Sequence, residues 1–271
     1  MWSVGRQGQG SQSARSSFRQ NRGYAVKAGS LLVVLLVAIS VVACVGPRPM
    51  PVDKGRAAEL NTKLGLSYLE QGRLDLAELK LQRALKEAPK SSRVLWANAL
   101  LYEKLEKKKR AEALYRKAIQ YNPKDSEALN NFGTFLCKEG REKEAVDMFE
   151  KAVANPLYHT PEYAYTNAGL CELKSSNEVK AEEFFRKALD TNTRYASALY
   201  QMALLTYRQK RYLTSRAYRE RLAAVLNKLN PKVLWLCVVT ERGLGDYSEA
   251  DSCEKTLKTA FPTSREASLL Y

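Results

Sequence analysis

Small residues recur along this chain at a fixed step. Gly133 is followed by Ala145, Phe149 and Ala152. The same skeleton stands at Gly65, Ala77, Leu81 and Ala84, at Ala99, Ala111, Tyr115 and Ala118, and at Gly169, Ala181, Phe185 and Ala188. From 65 to 99 and from 99 to 133 the step is 34 residues, and from 133 to 169 it is 36. Two antiparallel helices pack closely only where facing side chains are small. Gly133 and Ala145 therefore read as the contact inside a helical hairpin, with Phe149 and Ala152 extending that face at i+4 and i+7. Pro89 and Pro123 end the second helices, because proline lacks a donor and clashes with the preceding turn. One hairpin cannot bury its apolar face alone, so neighbours must stack.

A 34-residue helix–turn–helix period resembles the tetratricopeptide (TPR) repeat. The expected fold is all-α: a TPR solenoid of about six helix-turn-helix repeats forming a right-handed superhelix. The repeats are placed at 58–91, 92–125, 126–159, 162–195, 196–229 and 231–264. The stretch NPLYHTPEYAY (155–165), with Pro156 and Pro161, reads as a loop between the third and fourth. The fifth repeat is degenerate, with Ala203 at the glycine place but Ser215, Arg219 and Leu222 at the later anchors. The sixth recovers Ala250, Leu257 and Pro262, and SREASLLY (264–271) reads as a short helix capping the last apolar face.

Ahead of the repeats lies a different kind of sequence. Residues 1–30 are polar and carry Arg6, Arg15, Arg19, Arg22 and Lys27 without an acid, and Leu31 to Ala43 is an apolar run of 13 residues. That run is short for a membrane span. With a basic segment before it and a small residue at its end, it reads as a signal peptide over 1–43. The competing reading is a membrane anchor left in place. Val41-Val42-Ala43-Cys44 resembles a bacterial lipobox, which makes Cys44 the lipidated residue, with a free cysteine as the alternative. Several buried acyl chains would hold such a protein stably on a bilayer. Residue 45 is Val rather than Asp, and by resemblance to lipoprotein sorting this implies the outer membrane, on its periplasmic face. Residues 44–57, rich in Pro and Gly, form a linker, and 58–271 form the repeat domain.

The formal charge is +15, of which the first 43 residues hold +5. Basic proteins favour anionic partners. Here Lys and Arg alternate with Glu, as in KEGREKEA (138–145), which is the pattern of a solvated helix face. The export signal places the chain away from nucleic acid.

A lipobox, a short linker and about six TPR repeats together resemble the PilW (PilF) family of type IV pilus biogenesis and stability lipoproteins. The resemblance spans residues 31–264. It is densest over NNFGTFLCKEGREKEAVDMFEKAVANPLYHTPEYAYTNAGLCELKSSNEVKAEEFFRKAL (130–189), where both the paired cysteines and the NPLY…TPE…NAGLC insertion fit. It implies a pilotin, which binds the secretin subunit of the pilus machine and promotes the secretin's outer-membrane localisation and multimerisation.

Beyond Cys44, four cysteines stand at 137, 171, 237 and 253, which allow three pairings. Cys137 and Cys171 lie at nearly equivalent places on the first helices of adjacent repeats, so a bridge is geometrically allowed. Cys237 and Cys253 lie on the two helices of one hairpin and could also meet. Buried free thiols are the alternative in each case. No CxxC occurs and His159 is the sole histidine, so no metal site is expected.

In such a stack the first helix of each hairpin lines the concave face, at positions 2, 5, 9 and 12 of each repeat. The groove so expected contains Leu66, Leu69, Trp96, Leu100, Asn130, Asn131, Thr134, Tyr163, Asn167, Leu170, Tyr200 and Leu204, with Thr62, Thr166 and Trp235 at related places. An apolar groove of this size calls for something to cover it. Trp96 and Trp235 are equally open to packing between helices. Asn131 and Asn167, at one equivalent position, could either hydrogen-bond a bound peptide or tie neighbouring helices together.

No nucleophile–base pair and no phosphate loop is found, so the chain reads as a non-enzymatic adaptor without cofactor or small-molecule substrate. The alternative function is that of another periplasmic TPR scaffold lipoprotein, for cell-wall or outer-membrane assembly complexes.

Overall fold

The computed structural model describes residues 53–228 and 230–270. The signal-peptide reading, Cys44 and most of the linker lie outside them. The described chain is a run of helical pairs: α1 (Lys54–Glu70) with α2 (Leu74–Glu87), α3 (Ser92–Lys104) with α4 (Lys108–Tyr121), and α5 (Ser126–Lys138) with α6 (Glu142–Val153). Then come α7 (Pro161–Lys174) with α8 (Glu178–Thr191), α9 (Ala196–Arg208) with α10 (Tyr212–Leu226), α11 (Pro231–Leu244) with α12 (Tyr247–Ala260), and the short α13 (Arg265–Ser268). Among the described residues no helix is long and apolar enough to cross a membrane.

Two boundaries differ from the sequence reading. The linker was expected to run to residue 57, but α1 begins at Lys54, because the Asp53 carboxylate accepts from Gly55 N and Arg56 N and starts the helix early. Pro161, expected in a loop, is the first residue of α7, where its missing N–H costs nothing and its fixed φ suits the helix.

The repeating skeleton is the hairpin contact. A Cβ on Gly133 would lie 2.8 Å from the Phe149 ring and 3.0 Å from the Ala145 carbonyl oxygen, and one on Gly169 would lie 2.5 Å from the Phe185 ring. Each first helix ends the same way. Gly72, Glu106, Gly140, Ser176, Lys210 and Gly245 all have positive φ. The next N–H reaches back five residues, as in Arg73 N to Tyr68 O and Arg211 N to Thr206 O. This left-handed cap satisfies the final carbonyls and turns the chain into the second helix.

Successive first helices touch one another along the whole array (α1 to α3, α3 to α5, and on to α9 to α11), whereas the second helices touch only first helices. The first helices therefore form the inner, concave side. Between the layers runs an apolar seam, in which Tyr115 stacks on Phe132 at 5.5 Å and meets Phe135 in a tilted contact at 5.6 Å. At the degenerate fifth repeat the seam turns polar. Ser215 Oγ donates to Ala203 O at 2.9 Å and sits 3.1 Å from Thr240 Oγ1, and Arg219 occupies the place that Phe149 and Phe185 hold in earlier repeats. The last apolar face, around Cys237, Val238 and Cys253, is closed by Leu270 just after α13.

Candidate functional site: a cleft across the first four repeats

The loop between α6 and α7 is fixed by its own polar groups. Asn155 Nδ2 donates to Lys124 O at 3.0 Å and to Ser126 Oγ, and Asn155 Oδ1 accepts from Leu157 N. This Asx turn folds the loop back toward the concave side. There Tyr158 is half-buried, and burial pushes its phenol pKa up.

Tyr158 and Thr160 thereby complete a cleft of about 430 Å³. Its other walls come from Leu66 and Glu70 on α1, Arg93, Trp96 and Leu100 on α3, Glu127, Asn130 and Asn131 on α5, and Tyr163 on α7. Trp96 is only 6% exposed, and its indole Nε1 has no hydrogen-bond partner. Tyr163 is 49% exposed. Its ring lies 5.1 Å from that of Tyr195, whose pKa is pushed to about 12, by burial first and by Tyr163 second. The Tyr195 phenol is therefore neutral at physiological pH. The cleft thus combines an apolar floor with a few charged and amide groups among its walls.

Six of the groove residues read from the sequence thus converge: Leu66, Trp96, Leu100, Asn130, Asn131 and Tyr163. Six do not line the cleft. Leu69 packs against the apolar seam. Asn167 ties helices together, its Nδ2 donating to Asn130 Oδ1 at 3.0 Å and to Thr134 Oγ1 at 3.4 Å. Thr134 in turn donates to Asn130 O. Leu170 lies exposed farther along. Tyr200 sits beneath the Lys232 ammonium, and Leu204 shares its helix on the C-terminal half. Thr62 and Thr166, expected in the groove, are buried. Trp235 makes an edge contact with Tyr207 at 5.8 Å.

Sequence reasoning missed five wall residues. Arg93 and Glu127 hold position 2 of their repeats, a position that the periodicity itself points to. Glu70 lies just past the counted positions. Tyr158 and Thr160 belong to the insertion, which no period predicts.

Cys137 and Cys171 are joined between α5 and α7, with Cα atoms 5.8 Å apart, and Cys237 and Cys253 between α11 and α12, at 6.1 Å. Cys237, Cys253 and Glu249 are the one convergence of metal-ligand side chains among the described residues, and the disulfide occupies both sulfurs.

The tetratricopeptide repeat family profile matches residues 53–92 and 62–126, and a second one residues 114–147. The type IV pilus assembly protein PilF of Pseudomonas aeruginosa is 31% identical over 239 residues, which cover 86% of this chain and 94% of that one. The chain belongs to the PilF family. An uncharacterised protein of Haemophilus influenzae is 33% identical over 129 residues, covering 48% of this chain and 72% of its own. Among solved structures, PilW, described as a widely conserved type IV pilus biogenesis factor, superposes with a TM-score of 0.71 at 26% identity, over 79% of this chain and 97% of PilW. Pseudomonas aeruginosa PilF superposes with 0.70 at 29% identity, over 80% and 97%. As a member of the PilF family, this is a TPR protein of type IV pilus biogenesis.

Proposed function

We propose that the chain is an outer-membrane lipoprotein pilotin. Lipid on Cys44 anchors it at the periplasmic face, and its concave cleft binds a subunit of the type IV pilus secretin. It delivers that subunit to the outer membrane and promotes multimerisation there. The observation that carries this reading is the cleft, found in a chain of a pilus-assembly family. The cleft offers an apolar floor and a half-exposed Tyr163. Holding subunits on one membrane surface raises their effective concentration for ring assembly without any new contact. The role is binding and not catalysis.

The test is deletion of the gene, followed by membrane fractionation and a blot for secretin multimers. Multimers that vanish or move to the inner membrane support the pilotin reading. Normal outer-membrane multimers overturn it in favour of another periplasmic TPR scaffold. Cys44→Ala should leave the helical signal intact and the secretin misplaced. Because Trp96 is buried, the cleft is better tested by Leu100→Ala with Tyr163→Ala. Undiminished secretin capture by that folded double variant moves the site elsewhere.

A further inference from the structure

A second feature of the array lies at the edge where each second helix hands over to the next first helix. Three of the N-cap residues there are Ser91, Asp125 and Tyr195, and each is immediately preceded by a cation: Lys90, Lys124 and Arg194. At the fourth repeat the N-cap is Thr160, and the residue before it is His159, the sole histidine of the chain. Before the N-cap Asn230, Lys228 stands two positions back. Arg56, in the first turn of α1, lies one 34-residue step ahead of Lys90. All six side chains are exposed.

On the second helices several exposed cations are matched by a carboxylate, as in Arg116 with Glu112, Arg186 with Glu182, and Lys187 with Glu183. Among the described residues none of Arg56, Lys90, Lys124, Arg194 and Lys228 forms an ion pair. Of the acids within three residues of the row, Asp53 and Asp125 cap α1 and α5, Glu59 pairs with Lys63, Glu87 accepts from Asn61, Glu162 accepts from Asn192, and Glu127 stands exposed. The first helices also start on this edge, so the positive ends of their dipoles add to the same field. The repeat thus places one cation per step along a line, and the step that lacks Lys or Arg has the histidine.

The chain enters the array at this same edge, because α1 begins at Lys54. Cys44 precedes Asp53 by nine positions. That length reaches no more than about 30 Å even when fully extended. If the chain is anchored at Cys44, as proposed above, the start of α1 and with it Arg56 stay within that reach of the lipid.

We propose that this edge is a second binding surface, which seats the solenoid on the phosphate groups of an anionic bilayer. Only the orientation rests on the anchoring proposed above; the charge row does not. A seat of this kind fixes the tilt of the array on the bilayer. Cations close to a membrane surface bind it additively and in a salt-dependent way.

The experiment uses residues 45–271 without lipid, so that neither acylation nor secretin contributes. Sedimentation is measured with vesicles of phosphatidylethanolamine containing phosphatidylglycerol, and with neutral phosphatidylcholine vesicles. The edge variant is Lys90→Glu, Lys124→Glu, Arg194→Glu and Lys228→Glu. The control carries the same change of net charge on the opposite edge, as Lys104→Glu, Lys109→Glu, Arg208→Glu and Lys210→Glu. The expected result is binding to the anionic vesicles alone, weakened at least about tenfold in the edge variant and by far less in the control. Equal loss in both variants overturns the proposal, because net charge then explains the binding. So does a wild-type segment that sediments with neither vesicle, or with both alike, or that captures only an acidic polypeptide such as polyglutamate. Secretin capture by the edge variant stays at the wild-type level, which separates this test from that of the cleft.

Discussion

Arg219 and Glu241 meet in a buried ion pair across the junction of the fifth and sixth repeats, with Nη2 donating to Oε1 at 3.0 Å. The Glu241 side chain is fully buried, and Arg216 donates to it as well, with Nε 2.9 Å from Oε1. Removing one partner of such a group leaves charge stranded away from water. Glu241→Leu should therefore cost about 3–5 kcal/mol. Glu241→Leu combined with Arg216→Leu and Arg219→Leu should recover most of that loss, since an apolar replacement of the whole group is often neutral. Hydrogen exchange of α11 and α12 checks both, and a triple variant as weak as the single one sinks the account.

A second junction depends on pH. The Arg141 guanidinium hydrogen-bonds Glu112 and, against the cost of burial and with help from Arg116, holds its carboxyl below the usual carboxylate range. Arg141 Nη1 lies 2.8 Å from Glu112 Oε1, which joins the second repeat to the third. A depressed folded-state pKa gives stability that is fully present above the unfolded value, near 4.3, and is lost as pH falls through the folded value. Thermal unfolding from pH 7 to 3 should show a fall in stability below about pH 4.5. Glu112→Gln should flatten part of that fall and leave the neutral-pH helical signal unchanged.

Gly169 has no room for a methyl group. An added Cβ would lie 2.5 Å from the Phe185 ring, which is itself buried. Gly169→Ala should destabilise by about 1–3 kcal/mol. Phe185→Leu in the same chain should return part of the loss, because only side-chain atoms crowd the site. Urea unfolding of the two single variants and the double variant gives the coupling; strict additivity contradicts the contact.

The Cys137–Cys171 bridge closes a loop with a sequence separation of 34. A loop of that length should contribute about 3–4 kcal/mol by restricting the unfolded chain. Cys137→Ala with Cys171→Ala should lose that amount, measured by urea unfolding against the oxidised parent. Added reductant should bring the parent down to the same level.

The hairpin contacts were legible because every repeat reuses them. Gly133 with Ala145 and Gly169 with Ala181 stand in the sequence as spacing alone. Half of the cleft was legible too, since Leu66 and Leu100 share one repeat position. The remainder depends on what lies opposite. Tyr158, from the insertion and so from a part of the chain with no period, packs against the apolar cluster that holds Trp96. Asn167 turns to Asn130 on the preceding first helix, so its second reading, and not a peptide contact, describes it. The fifth repeat looked damaged because Arg219 replaces an aromatic anchor. Its compensating partner, Glu241, lies one repeat farther on, where a search within each repeat cannot find it.

The covalent link between α5 and α7 also sets how the array answers a pulling force. An end-to-end load would peel hairpins away one by one, each giving up its full length of chain. Between Cys137 and Cys171 the tension passes through the sulfurs, so roughly 33 residues, about 110 Å of extended chain, stay slack however far the rest is drawn out. The stitched middle of the array is the portion that keeps its length under strain, and one wall of the cleft is built on it.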